Sequence, residues 1–194
     1  MPEAEAPKTW KDLLDPKWRG TISCKIAASG LQFVEWYELR KLYGDGYWKE
    51  FAKQRPHAFD SRVQLMDRLA RGDDKITAVG EYAAHVLYEK KGANIGFVAP
   101  PDGLPATPLV GGAVSKAPHP ETAKLFVDWA MSLRGQKFYQ DNMNLIYGSV
   151  RKDAPPMVTG VRLSDFKLLA PTDMADYLGS HDQFNKEWSA MLGL

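Results

Sequence analysis

Apolar positions recur at helical spacing along some stretches of this chain and gather into short β-branched runs along others. Thr9 can cap a short helix, with Asp12 placed where a carboxylate favours the positive end. Gly20 then releases a strand predicted over 21–27, marked by Thr21, Ile22 and Ile26. A helix follows over 31–43, broken by Gly44-Asp45-Gly46, and a second over 47–54, before Pro56. An extended piece at 57–59 leads to Asp60-Ser61, which can cap the next helix. Val63, Met66, Leu69 and Ala70 give that helix its spacing, and Gly72 closes it. A buried strand is predicted over 75–79, a helix from Gly80-Glu81-Tyr82 to about Gly92, and a strand over 94–98. Strands alternating with helices of this length argue for an α/β fold with crossover connections.

The pattern changes after Val98. Residues 99–108 carry four prolines and a glycine, which reads as a linker or a rigid crossing segment. Residues 109–115 look like a strand, but Gly111-Gly112 suggests a bulge or a close backbone approach. Pro120 is preset for the first turn of a helix whose Ala123, Phe126, Val127, Ala130 and Met131 share one face. Gly135 is expected to separate it from a shorter helix over 136–143. Ala154-Pro155-Pro156 breaks the chain again, and the last helix aligns Phe184, Trp188, Met191 and Leu192 on one side. No internal repeat or low-complexity tract is found.

Composition narrows the function classes. The 194 residues are 44% apolar and 25% charged, an ordinary globular balance with enough length for a genuine core. The 25 basic and 24 acidic side chains nearly cancel, without blocks of like charge, so nothing points to nucleic acid or an anionic membrane. A single cysteine, Cys24, excludes an internal disulfide and a cysteine-built zinc site. No apolar run approaches the ~20 residues that span a bilayer. The start, Met1-Pro2-Glu3-Ala4-Glu5-Ala6-Pro7, lacks the pattern of a signal peptide and reads as a linker or a fragment boundary. His-Glu-x-x-His, the P-loop, Gly-x-Ser-x-Gly and the dinucleotide fingerprint are all absent. An enzyme would have to rest on Cys24, placed mid-strand where burial makes a thiol inert.

Several residues can still carry chemistry. Ser29-Gly30, between a strand and a helix, offers N–H groups and a hydroxyl to an anion, or simply caps the helix. Arg62, after Asp60-Ser61, could fork onto a carboxylate or phosphate, or stand solvated on the surface. Tyr82 can stack on or hydrogen-bond an organic ligand, or serve as an amphipathic helix start. Glu81 and His85, four apart, could share a metal, but two ligands are not a site, and an intrahelical bond or solvent exposure explains them as well. His57, His119 and His181 show no clustering. Trp10, Trp18, Trp36, Trp48, Trp129 and Trp188 are assigned to packing.

Trp10-Lys11-Asp12-Leu13-Leu14-Asp15-Pro16-Lys17-Trp18-Arg19-Gly20-Thr21-Ile22 resembles the segment that opens the second lobe of ferric-iron-type solute-binding proteins of ABC importers. Gly80-Glu81-Tyr82 resembles their cleft segment. Gly111-Gly112-Ala113-Val114-Ser115-Lys116, then His119-Pro120-Glu121-Thr122-Ala123-Lys124-Leu125-Phe126-Val127-Asp128-Trp129, then Ser132 and Gly135-Gln136, resemble their C-terminal return segment. The ordered set runs from Trp10 to Gln136 and is more specific than any one motif.

The resemblance implies an α/β, periplasmic-binding-protein type 2-like lobe, a mixed β-sheet flanked by helices, with a partial return segment of the other lobe. It divides the chain into a linker at 1–8, the second lobe at 9–106, a return segment at 107–152, and a C-terminal helical part at 153–194 packing on the second lobe. The first lobe that precedes the Trp-Lys-Asp-Leu-Leu motif in such proteins is expected to be missing. It implies a non-enzymatic, periplasmic substrate-binding component that takes an organic or inorganic anion between two lobes and delivers it to the importer's membrane subunits. The ligand set it implies is Ser29, Gly30, Ser61, Arg62, Glu81 and Tyr82. No cofactor is implied. Ferric iron stands as an alternative cargo through Tyr82, but Ala83 breaks the adjacent tyrosine pair that iron binders use. A return segment lacking its partners would repack or pair with another copy, so a homodimer, or a self-associating module without a small ligand, is the alternative.

Overall fold

Alternation along strand β1 (Ile22–Lys25) turns Ile22 and Cys24 to one face of a sheet and Ser23 to the other, and all three are buried. The computed structural model describes residues 1–26, 31–78, 82–108, 110–142, 148–157 and 160–193. They fall into two units, Met1–Thr107 with Phe166–Leu194, and Pro108–Asp165.

In the first unit β1 is central. Strand β2 (His57–Phe59) pairs parallel on one side, with Cys24 opposite Ala58. Strand β3 (Ile76–Thr77) pairs parallel on the other, with Ile22 opposite Ile76. Helix α1 (Leu31–Tyr43) and helix α2 (Gly46–Ala52) connect β1 to β2, and helix α3 (Arg62–Arg71) connects β2 to β3. These two connections run in opposite directions across the sheet. Right-handed crossovers therefore put α1 and α2 on one face and α3 on the other. Helix α4 (Tyr82–Lys90) follows β3.

The face under α1 holds an aromatic core. Trp36 of α1 lies 3.7 Å from Trp48 and 4.1 Å from Trp188 between ring centres, and Phe51 and Phe184 pack around them. Trp188 and Phe184 belong to helix α8 (His181–Leu192), which helix α7 (Met174–Gly179) precedes. Buried indole N–H groups need acceptors. Trp48 Nε1 donates to the Trp36 carbonyl at 3.1 Å, and Trp188 Nε1 to the Lys25 carbonyl at 3.3 Å.

The N-terminal turn, a 3₁₀ helix Trp10–Leu14, is closed by a reciprocal capping box between Thr9 and Asp12. Backbone N–H groups of Lys8 and Thr9 hold the Asp12 carboxyl below its usual range. Trp10 Nε1 donates to the Gly103 carbonyl at 2.8 Å, and Tyr47 donates to the Trp10 carbonyl at 2.7 Å. Beyond Gly103, strand β4 (Leu104–Pro105) pairs parallel with strand β5 (Leu168–Leu169).

The second unit is built on helix α5 (Pro120–Met131) and helix α6 (Leu133–Asp141), with Trp129 within 6.1 Å of Phe126, Phe138 and Tyr139. Gly135 does not separate the helices as its sequence position suggests. It lies inside the first turn of α6, where its N–H donates to the capping Ser132 hydroxyl. A Cβ there would stand 2.1 Å from the Trp129 carbonyl oxygen, so only glycine permits this approach.

Two predicted strands are not formed. Residues 94–98 and 110–115 have no ladder partner among the described residues, and Ser115 lies in a turn. Strand-like composition does not make a strand when no neighbour supplies the hydrogen bonds. The buried face of α3 is also rotated from the one expected: Leu65 and Met66 are buried, while Val63 is 56% exposed.

Candidate functional site

A parallel sheet aligns its strand ends, and each strand here is followed by a helix. The chain leaves β1 through residues 27–30 into α1, leaves β2 through Asp60-Ser61 into α3, and leaves β3 through residues 78–81 into α4. Three helix N-termini therefore gather at one sheet edge. Neighbouring strands are ~5 Å apart, so the two outer strand ends stand about 10 Å apart, within the span of one small molecule. The first N–H groups of each helix have no intrahelical acceptor, and the helix dipole adds positive potential.

Ser61 holds the N-cap position of α3 with extended backbone, φ −94° and ψ 125°, but its side chain makes no capping bond, contrary to the capping role expected for it. The Ser61 hydroxyl thus leaves the first turn of α3 uncapped. Arg62 begins the helix with an exposed side chain. Its charge acts on Tyr88 of α4, whose phenol is pushed up to about 12, first by burial and then by its bond to Asp67. That bond, Tyr88 to Asp67 Oδ1 at 2.6 Å, ties α3 to α4.

Tyr82 starts α4 and is half-buried. Its ring meets Phe97 edge-on at 5.0 Å and lies 6.2 Å from His85. Phe97 was missed by sequence reasoning, which placed it inside a strand. Nothing in the local pattern around Phe97 distinguishes it from an ordinary apolar strand position.

Ser29, Gly30 and Glu81 lie outside the described residues, so the Glu81–His85 pairing does too. His85 Nε2 instead stands 3.7 Å from Glu89. Among the described residues no three His, Cys, Asp or Glu side chains are grouped to hold a metal ion.

The opposite edge of the sheet is locked by charge. Asp74, just before β3, is buried; His57 Nδ1 is 2.5 Å from its Oδ1 and Arg68 Nε 2.5 Å from its Oδ2. Burial alone would raise the Asp74 carboxyl, but hydrogen bonds from Arg68 and His57 outweigh it and hold the group low. The lock joins the starts of β2 and β3 to the end of α3, which fixes where α3 begins at the other edge.

Cys24 is fully buried, and burial, followed by the Glu35 charge, pushes its thiol up to about 12. A thiol so held does not form the thiolate that nucleophilic catalysis needs at neutral pH.

The chain that carries these helix starts matches known proteins. The profile of a family described as bacterial extracellular solute-binding protein matches residues 1–164. The chain belongs to this family. An uncharacterized protein of Haemophilus influenzae is 29% identical over 160 residues, covering 78% of this chain and 46% of that protein.

Solved structures share the fold. The periplasmic binding protein AfuA from Actinobacillus pleuropneumoniae, with fructose-6-phosphate bound, superposes with a TM-score of 0.74 at 23% identity, over 98% of this chain and 61% of that one. Iron-bound HitA from Pseudomonas aeruginosa gives 0.68 at 20% identity, over 100% of this chain and 64% of that one. The chain thus spans about half to two-thirds of its relatives' length. It has the type 2 periplasmic-binding-protein fold, in a family of binding proteins rather than enzymes.

Of the residues expected from sequence, three are described at helix starts. Ser61 and Arg62 stand at the start of α3 and Tyr82 at the start of α4.

Proposed function

We propose that this chain supplies the solute-receiving surface of a substrate-binding component of an ABC importer, working in the periplasm and handing its cargo to the importer's membrane subunits. The carrying observation is the convergence of three helix N-termini on one edge of the sheet, with Arg62 at one and Tyr82 at another. Uncapped N–H groups and a guanidinium select an anion, and a half-buried phenol suits an organic group attached to it. In this reading Ser29 and Gly30 offer N–H groups, Ser61 and Arg62 hold the anion, and Glu81 and Tyr82 take hydroxyls or the body of the solute. The fructose-6-phosphate bound in AfuA is a solute of this kind, and iron, bound in HitA, is the less favoured alternative because Ala83 follows Tyr82.

Calorimetry with fructose-6-phosphate, inorganic phosphate and ferric citrate tests the reading. Binding of one anion, weakened at least tenfold, about 1.4 kcal/mol, by Arg62→Ala and by Tyr82→Phe, is expected. Unchanged affinity in both variants, or no binding by any of the three, would overturn it.

A second reading, pairing of two copies through residues 108–165, is favoured by Leu125, Phe126 and Phe138, which are 69%, 57% and 48% exposed on α5 and α6. Light scattering decides it. A dimer that Phe126→Asp dissociates supports pairing, and a monomer at high concentration excludes it.

A further inference from the structure

We propose that Lys25 is a solute-binding residue, a second cation beside the start of α3 that makes the site select a phosphate monoester over singly charged anions. The inference rests on the reading that the strand ends receive the solute.

Lys25 is the last residue of β1, the central strand. Ile22 and Cys24 belong to the aromatic core under α1, so alternation turns Lys25 to the opposite face. Its partner in register, Phe59 of β2, shares that face, and there Arg68 of α3 stacks over the Phe59 ring at 4.9 Å. Lys25 therefore lies on the α3 side of the sheet, at the carboxyl edge. Neighbouring strands are ~5 Å apart. Ser61, two residues beyond Phe59, is at most about 7 Å further along the chain. A four-carbon stem starting at Lys25 reaches the first turn of α3.

What singles Lys25 out is its lack of a counter-charge. Every other lysine is exposed, whereas Lys25 is half-buried. Three arginines are also withdrawn from full exposure, and each faces a carboxylate: Arg40 that of Asp45, Arg68 that of Asp74, Arg151 that of Asp153. Lys25 has no such partner among the described residues. Partial burial of an unpaired ammonium costs free energy. The fold itself has no use for that ammonium, because the Trp188 indole bonds the Lys25 carbonyl, which any residue supplies.

An anion held at the helix starts provides the missing counter-charge. Arg62 forks onto two of its oxygens, Lys25 meets it as a point charge, and the first N–H groups of α3 take what remains. A phosphate monoester carries about 1.5 to 2 negative charges at pH 7 and so matches two cations. A sulfate ester of the same sugar carries one charge and leaves one cation unmatched.

Two measurements test this. Calorimetry compares fructose-6-phosphate with fructose-6-sulfate, and the native chain should bind the phosphate about tenfold more tightly. Lys25→Met, which keeps the stem, should weaken the phosphate about tenfold and the sulfate less, and Lys25→Arg should recover most of the loss. No loss in Lys25→Met, equal losses for both esters, or binding of ferric citrate alone overturns the proposal. Arg62→Ala separates the two levels of the argument. If it weakens the phosphate at least tenfold while Lys25→Met does not, the site stands and the role of Lys25 falls. If neither variant changes binding, or no probe binds, both fall.

The second measurement uses the native chain, so no variant has to fold. Acetylation read at each lysine by mass spectrometry should slow at least about fivefold at Lys25 when fructose-6-phosphate saturates the chain. It should be unchanged at the exposed Lys186 of α8. An unprotected Lys25 in a chain that binds the phosphate overturns the proposal.

Discussion

Helix α8 and helix α5 are written in the same alphabet and meet opposite fates. Both are 12 residues long and both carry apolar residues at helical spacing. In α8, Phe184 and Trp188 are buried against α1 and α2. In α5 no side chain is buried, and Leu125, Phe126 and Met131 are about half exposed or more. An apolar stripe states that a helix wants a partner, not that its own chain provides one. The first unit closes its core with its own residues. The second leaves its apolar helix face open, the kind of surface that further polypeptide or a second copy covers.

The comparison can be broken most directly at Trp188. Trp188→Ala empties the centre of the aromatic core and should cost about 3–5 kcal/mol in denaturant unfolding. A loss under ~1 kcal/mol would mean that the first unit is not held by that core.

Asp74→Asn comes next, at about 3 kcal/mol, because it leaves Arg68 and His57 facing a neutral group in place of their buried counter-charge. The same residue sets a pH dependence. Its carboxyl is held low in the folded chain, so its stabilisation is complete above the unfolded value near 4 and disappears as the pH falls through the lower folded value. Acid titration of native and Asp74→Asn chains should therefore converge below about pH 4, and a constant gap would refute the lock.

In the second unit Gly135→Ala should cost about 1–3 kcal/mol, since the Trp129 carbonyl cannot give way without disturbing the α5–α6 turn. Phe126→Ala sharpens the contrast by its smallness. In a monomer it should stay within ~0.5 kcal/mol, and a larger effect that grows with protein concentration would reveal a partner on that face.

Legibility in the sequence followed the same division. The bounds of α1 could be read because glycines punctuate both sides, and Gly72 marked the end of α3 through a left-handed backbone at φ +80°. Phe184 and Trp188 could be read because their spacing and bulk leave few alternatives to burial. The strands expected at 94–98 and 109–115 find no partner among the described residues, 94–98 and 110–115, since pairing partners are a tertiary fact that β-propensity does not contain. Of the candidate site, the positions of Arg62 and Tyr82 at helix starts after strands were legible, because Asp60-Ser61 and Gly80 punctuate the sequence before them. The contact of Phe97 with Tyr82 was not, because it depends on where the chain after α4 runs. The buried acid Glu35, whose carboxyl burial raises well above the usual range, was equally invisible among the charges of an ordinary helix.

The solitary thiol of Cys24 has a practical consequence. With no second cysteine to confuse the signal and no exposed surface in the native fold, it can be modified only while β1 is transiently uncovered. The rate at which a thiol reagent enters thus works as a clock for rare excursions of the sheet, and a solute that grips the strand ends would slow that clock in proportion to its hold.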